Sequence, residues 1–124
     1  MNKEKSLGQL GEEIATKYLS KKGYKILDRN YRKPWGEIDI IAEREGVIVF
    51  VEVKTVKINQ EEENPLPEEN VNFFKKNRLI KTADTYLLDK HCSLSQGWQI
   101  DVIGIEFFEK NKCRLRHTKN AVTR

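Results

Sequence analysis

The sequence predicts a single α/β domain, a sandwich of a mixed β-sheet flanked by helices in the order α-β-β-β-α-β(β). Three observations point there. Two segments, 7–22 and 71–90, carry apolar residues at helical spacing. Segments 37–42, 47–56 and 98–108 are strand-length and rich in β-branched residues. The chain, at 124 residues, has no repeat and no internal boundary, which suits one domain with one sizeable core.

Each element has its own local warrant. Ser6 stands as an N-cap with Gln9 three positions on, the spacing of a capping box. Leu7, Leu10, Ile14, Tyr18 and Leu19 then recur at helical spacing until Lys21-Lys22-Gly23, a basic last turn followed by a glycine. Residues 24–30 read as a short strand, and Lys33-Pro34-Trp35-Gly36 as a turn. Residues 37–42 and 47–56 are strands separated only by Arg44-Glu45-Gly46, so they should pair as an antiparallel hairpin. Residues 57–70 hold two prolines and few apolar side chains and read as a mobile loop. The second helix, 71–90, places Phe74, Ile80 (or Leu79), Ala83 and Leu87 on its apolar face. Residues 98–108 form a strand, and 113–117 a last edge strand.

Composition narrows the partners. No apolar run approaches the ~20 residues of a membrane span, and Met1-Asn2-Lys3-Glu4-Lys5 leads into no apolar export segment. Cys92 and Cys113 lie far apart without metal-ribbon spacing, as expected of a soluble protein of the reducing cytoplasm. The net charge is +4, but five glutamates cluster between Glu61 and Glu69. Without that stretch, 23 basic residues face 14 acidic ones, an excess of nine. Such a body suits either an ordinary solvated surface or a phosphate-bearing partner.

The strands carry charge where apolar residues would be expected. Glu37-Ile38-Asp39 and Glu52-Val53-Lys54 both alternate, so Glu37 and Asp39 share one face, and Glu52 and Lys54 share one face of the next strand. Ile38, Ile40, Val51 and Val53 should then point into the core on the opposite side. One explanation is a half-exposed sheet with cross-strand ion pairs, each worth about 0.2–1 kcal/mol. The other is a metal site: Asp39 and Glu52 as hard oxygen ligands for Mg²⁺, with Lys54 stabilising negative charge on a phosphate.

These residues carry a resemblance. An acid on one strand, then Glu-x-Lys on the next, after a helix bearing a glutamate, resembles the PD-(D/E)xK nuclease superfamily, which includes archaeal Holliday-junction resolvases, and implies its restriction-endonuclease-like three-layer sandwich. A narrower match is carried by Gly8-Gln9-Leu10-Gly11-Glu12-Glu13-Ile14-Ala15, Gly23-Tyr24-Lys25-Ile26-Leu27, Asn30-Tyr31-Arg32, Gly36-Glu37-Ile38-Asp39-Ile40-Ile41 and Val49-Phe50-Val51-Glu52-Val53-Lys54-Thr55. Together these blocks resemble the YraN family of small bacterial endonuclease-like proteins, with looser similarity through Lys76-Asn77-Arg78-Leu79 and Trp98-Gln99-Ile100-Asp101-Val102-Ile103. The basic residue that follows the threonine in that family is displaced here to Lys57.

The resemblance implies Mg²⁺- or Mn²⁺-dependent hydrolysis of DNA phosphodiester bonds, in branched or single-stranded DNA. It makes Asp39 and Glu52 the metal-binding acids, Lys54 the catalytic lysine, the Val53 carbonyl a further ligand, and Glu12 an addition from the first helix. Glu37 falls in the same block without a defined role, second to the ligands or tying down the turn. Lys75, Lys76, Arg78 and Lys81, with Arg32, either solvate their elements or form a phosphate-tracking rim. Trp35 is expected to be exposed, to stack on a base or cover a sheet edge. Asp101 reads as a buried carboxylate bonding a loop or capping a helix, and His91, Cys92 and His117 as structural. Two other functions stay open: a non-catalytic nucleic-acid-binding module, and a protein-interaction factor docking through residues 61–69. A homodimer is a further possible assembly, since resolvases of this fold pair across two-fold junctions.

Overall fold

In the computed structural model, which describes residues 5–58 and 73–122, helix α1 (Leu7–Lys21) leads into strands β1 (Lys25–Lys33), β2 (Gly36–Arg44) and β3 (Val47–Lys57). Helix α2 (Phe73–Asp89) and strands β4 (Trp98–Phe108) and β5 (Lys112–Val122) complete the chain. The expected order α-β-β-β-α-β-β is therefore present. The loop expected over 57–70, with the glutamate cluster, lies outside the described residues apart from Lys57, which ends β3, and Ile58.

The five strands form one sheet in sequence order. β1, β2 and β3 make an antiparallel meander, β3 and β4 pair in parallel, and β4 and β5 are antiparallel. The parallel step requires a crossover, and α2 supplies it between β3 and β4. Glu45 and Gly46, both at positive φ (52° and 81°), make the two-residue turn of the β2–β3 hairpin. β1 and β5, the two edge strands, run further than the expected 24–30 and 113–117.

The helices cover opposite faces. α1 packs Ala15 and Leu19 on Ile40, Ala42, Val49, Val51, Ile103 and Ile105. α2 packs Leu79, Ala83 and Tyr86 on Ile38, Ile41, Ile48, Phe50 and Ile100. The capping box at Ser6 and Gln9 is formed as expected. Two apolar assignments change. Leu7 and Leu10 are exposed, and α1 buries Gly11 and Ala15 along with the expected Leu19; Phe74 is 74% exposed, and Leu79 is the first buried residue among those described in α2. No described helix is long and apolar enough to cross a membrane.

His117, isolated in the sequence, is not isolated in space. The β4–β5 register shifts between Ile100 and Val102, and the bulge takes the Asn120 N–H off the ladder. Asp101, fully buried opposite, accepts that N–H at 2.9 Å and the Gln99 amide at 2.8 Å. Its other oxygen lies 2.7 Å from His117 Nε2, and His117 Nδ1 lies 2.9 Å from the Tyr18 hydroxyl. With Nε2 donating to Asp101, Nδ1 accepts from Tyr18, and α1 is bonded through the imidazole to both C-terminal strands. Burial, followed by the nearby charges of Tyr24 and Asp101, raises the Tyr18 hydroxyl pKa. Asp101→Ala removes the acceptor for three donors and should lower stability by roughly 3 kcal/mol, measured as a lower urea midpoint. Leu94→Ser, at a fully exposed side chain, should leave that midpoint where it was.

Candidate functional site

The site begins where two strands part. β2 and β3 pair from Arg44↔Val47 as far as Ile40↔Val51, and no further. β3 nonetheless stays paired with β4 to Lys57↔Phe107. The edge of β3 that β2 abandons therefore needs another acceptor, because a buried backbone N–H left unpaired is costly. Asp39 provides it: its Oδ2 accepts the Val53 N–H at 2.7 Å. β2 turns over at the same point. Ile38 packs on the α2 face and Ile40 on the α1 face, so the expectation that both share one face with Val51 and Val53 does not hold. The change of face falls where β2 has left β3 but remains paired with β1, through Ile38, Glu37 and Gly36.

Two close approaches aim the neighbouring acids. A Cβ on Gly11 would collide with Thr55 Cγ2, so only glycine lets α1 lie this near β3. Glu12, the next residue, is thereby carried to the strand ends. A Cβ on Gly36 would collide with the Thr82 hydroxyl and crowd the Arg78 carbonyl of α2, and this seats the start of β2 directly on that helix. As a result, carboxylate oxygens of Glu12, Glu37 and Asp39 lie within 4.8 Å of one another. Glu37, which the sequence left without a role, is thus part of the cluster. It is also paired with Arg32, Nε to Oε2 at 3.1 Å.

Glu52 is held differently. Buried and adjacent, it is gripped by Lys75 Nζ at 2.6 Å and by Lys54 Nζ at 3.3 Å on the same oxygen. Glu52 and Lys54 thus share a face as expected, but Glu52 is not one of the three converging acids. At Val53 it is the N–H that is tied to Asp39.

Next to these acids opens a cavity of about 760 Å³. Glu37, Asp39 and Glu52 line it together with Arg32, Lys33, Lys75, Arg78 and Lys81, so cations outnumber acids around its wall. Three of those cations sit three residues apart along α2, which brings them to one stripe of the helix. Lys76 is not among the lining residues. Trp35 lines the cavity and is half-buried rather than exposed, with Lys81 Nζ 4.8 Å from its ring centroid. The pairing of Lys75 with Glu52 and of Lys81 with Trp35 was beyond reach of the sequence, since α2 is separated from β3 by fifteen residues whose path no local pattern dictates.

Burial, and behind it the charge of Glu52, pushes the Asp39 carboxyl up to about 8. Glu12 and Glu37 push the same way, and the Val53 N–H offsets part of the rise. An oxygen-only donor set whose members oppose one another's ionisation fits a hard divalent cation, with Glu12, Glu37 and Asp39 as the residues able to hold it.

Two outcomes follow. The folded Asp39 carboxyl keeps its proton up to about 8, whereas its ordinary value is 3.8, so the folded protein binds the extra proton between those values. Stability of the metal-free protein should therefore fall as pH rises through that window. Urea midpoints from pH 5 to pH 8 should show the slope, and Asp39→Asn should flatten it. Gly11→Ala should cost about 1–3 kcal/mol by overpacking, and Thr55→Ser, which deletes the colliding methyl, should restore most of the loss in thermal unfolding.

Comparison with known sequences gives a consistent family. The model of uncharacterised protein family UPF0102 matches residues 11–105, which include Glu12, Glu37, Asp39, Glu52, Lys54 and Lys75. A UPF0102 protein of Desulforamulus reducens is 40% identical over 120 residues, covering 95% of this chain and 96% of the relative. One from Alkaliphilus metalliredigens is 48% identical over 117 residues, covering 94% and 97%. The chain belongs to the UPF0102 family, the YraN family of the sequence resemblance.

Proposed function

We propose that the protein is a divalent-cation-dependent nuclease that hydrolyses phosphodiester bonds of DNA, in branched or single-stranded form. The observation that carries this reading is the juxtaposition of three converging carboxylates with a cavity walled by five cationic side chains. The acids suit Mg²⁺ or Mn²⁺, and the cations suit a phosphate backbone. The resemblance to PD-(D/E)xK nucleases at Asp39, Glu52 and Lys54 points the same way.

Glu12, Glu37 and Asp39 would hold the cation, with Glu52 beside them. A bound Mg²⁺ would act as a Lewis acid on the phosphate and make a water more acidic. The protein's own groups have distinct tasks. Arg32, Lys33, Arg78 and Lys81 bind the backbone and fix its register in the cavity. Asp39 holds the β2 terminus in place through Val53. Lys54, 3.3 Å from Glu52 and outside the cavity lining, fixes that carboxylate. In the reaction, a water oxygen bonds to phosphorus and the opposite P–O ester bond breaks. The water's proton passes to a carboxylate or to solvent, and the leaving oxygen takes a proton from solvent.

A second reading, a nucleic-acid-binding module without catalysis, rests on the same cationic wall. Cleavage assays separate the two. Purified protein with Mg²⁺ or Mn²⁺ should cut at least one of single-stranded, duplex, flap or four-way-junction DNA. Asp39→Asn should lower that rate by roughly a thousandfold while retaining DNA binding. Wild-type protein that binds all four forms and cuts none would leave the binding module. Mn²⁺ at about a hundredfold excess over its dissociation constant should stabilise the wild type by about 2.7 kcal/mol, and Asp39→Asn much less.

A further inference from the structure

Two lysines share Glu52, and they are not equivalent. Lys54 comes from the same strand, two residues on, at 3.3 Å. Lys75 comes from the first turn of α2, at 2.6 Å, and is the shorter contact. Of the pair, only Lys75 lines the cavity that Asp39 and Glu52 open into. Its side chain is 27% exposed, whereas the Glu52 side chain is 8% exposed. Lys75 therefore spans from a buried acid to the space where a ligand would lie.

Resting on the nuclease reading above, we propose that Lys75 is a substrate-phosphate residue held in reserve on Glu52. While the acids have no cation, the Lys75 ammonium neutralises Glu52. When a divalent cation enters beside Asp39, it takes over the neutralisation of Glu52, and the Lys75 ammonium turns to a phosphate in the cavity. The flexible four-carbon stem permits this transfer, since an ammonium is a point charge without a preferred plane. Lys54 does not line the cavity and stays with Glu52. The arrangement couples the two ligands: the cation and Lys75 compete for Glu52, and the cation and the phosphate cooperate through Lys75.

The coupling distinguishes this role from that of a fixed surface charge. Full-length wild type, Lys75→Met, Lys75→Gln and Lys76→Met are titrated with Mn²⁺ alone by calorimetry. Each is also titrated with a fluorescent, phosphorothioate-linked single-stranded oligodeoxynucleotide, with Mn²⁺ and with EDTA, at one ionic strength. Removing the competitor should tighten Mn²⁺ binding about fivefold in Lys75→Met and Lys75→Gln, the scale of a partly exposed ion pair. Both variants should lose oligonucleotide affinity about fivefold or more with Mn²⁺ present, and little in EDTA. Lys76→Met removes the same charge from the same helix and should show no such dependence on Mn²⁺.

Unchanged Mn²⁺ affinity in both Lys75 variants would overturn the assignment and leave the nuclease reading standing. So would an oligonucleotide loss equal in Mn²⁺ and in EDTA. Absence of Mn²⁺ binding by the wild type would overturn both.

Discussion

One hydrogen bond organises this protein: the buried Asp39 carboxylate accepting the Val53 N–H at 2.7 Å. It stands where the β2–β3 ladder ends, and it substitutes a side chain for the backbone partner that β2 withdraws. Without it the exposed edge of β3 would carry an unmet donor inside the fold. With it, the strands are free to separate, and the space between them becomes the cavity. The same carboxylate pays a penalty for its position, seen in a pKa raised to about 8 by burial and by neighbouring acids. A structural bond and a carboxyl whose ionisation its neighbours oppose thus reside on one residue.

The rest of the fold serves that point. Gly11 permits α1 to approach β3, which carries Glu12 to Asp39. Gly36 seats the β1–β2 turn on α2, bringing Glu37 and Arg32 to the rim. α2 crosses from β3 to β4 and delivers Lys75, Arg78 and Lys81 to the same opening. On the other end of α1, the Tyr18–His117–Asp101 chain ties the helix to β4 and β5, so its position does not depend on apolar packing alone. Acids and cations meet at one mouth because separate layers each contribute their share.

Much of this was legible in the sequence, for local reasons. The capping box at Ser6, the tight turn at Glu45-Gly46 and the β-branched run of β3 are all decided by neighbours along the chain, and they appear as expected. Asp39 and Glu52 stood out as charges where apolar residues belong, and Glu12 through the family resemblance of its helix block. What escaped was set by tertiary geometry. Ile38 and Ile40 face opposite layers at the point where β2 leaves β3 while staying paired with β1, a parting that no local pattern marks. Phe74 and Leu10 keep helical spacing yet are exposed, because spacing assigns a side of the helix and not what packs against it. Glu37 joined the acids, and Lys75 found Glu52, through contacts between elements that no local pattern encodes.

The most direct measurement is anomalous diffraction from crystals soaked in Mn²⁺. A hydrolase centre of this kind requires an anomalous peak within coordination distance of Glu12, Glu37 and Asp39 oxygens, with the Val53–Asp39 hydrogen bond retained. Crystals that take up Mn²⁺ elsewhere, or show the three carboxylates joined only by shared protons and waters, would contradict it.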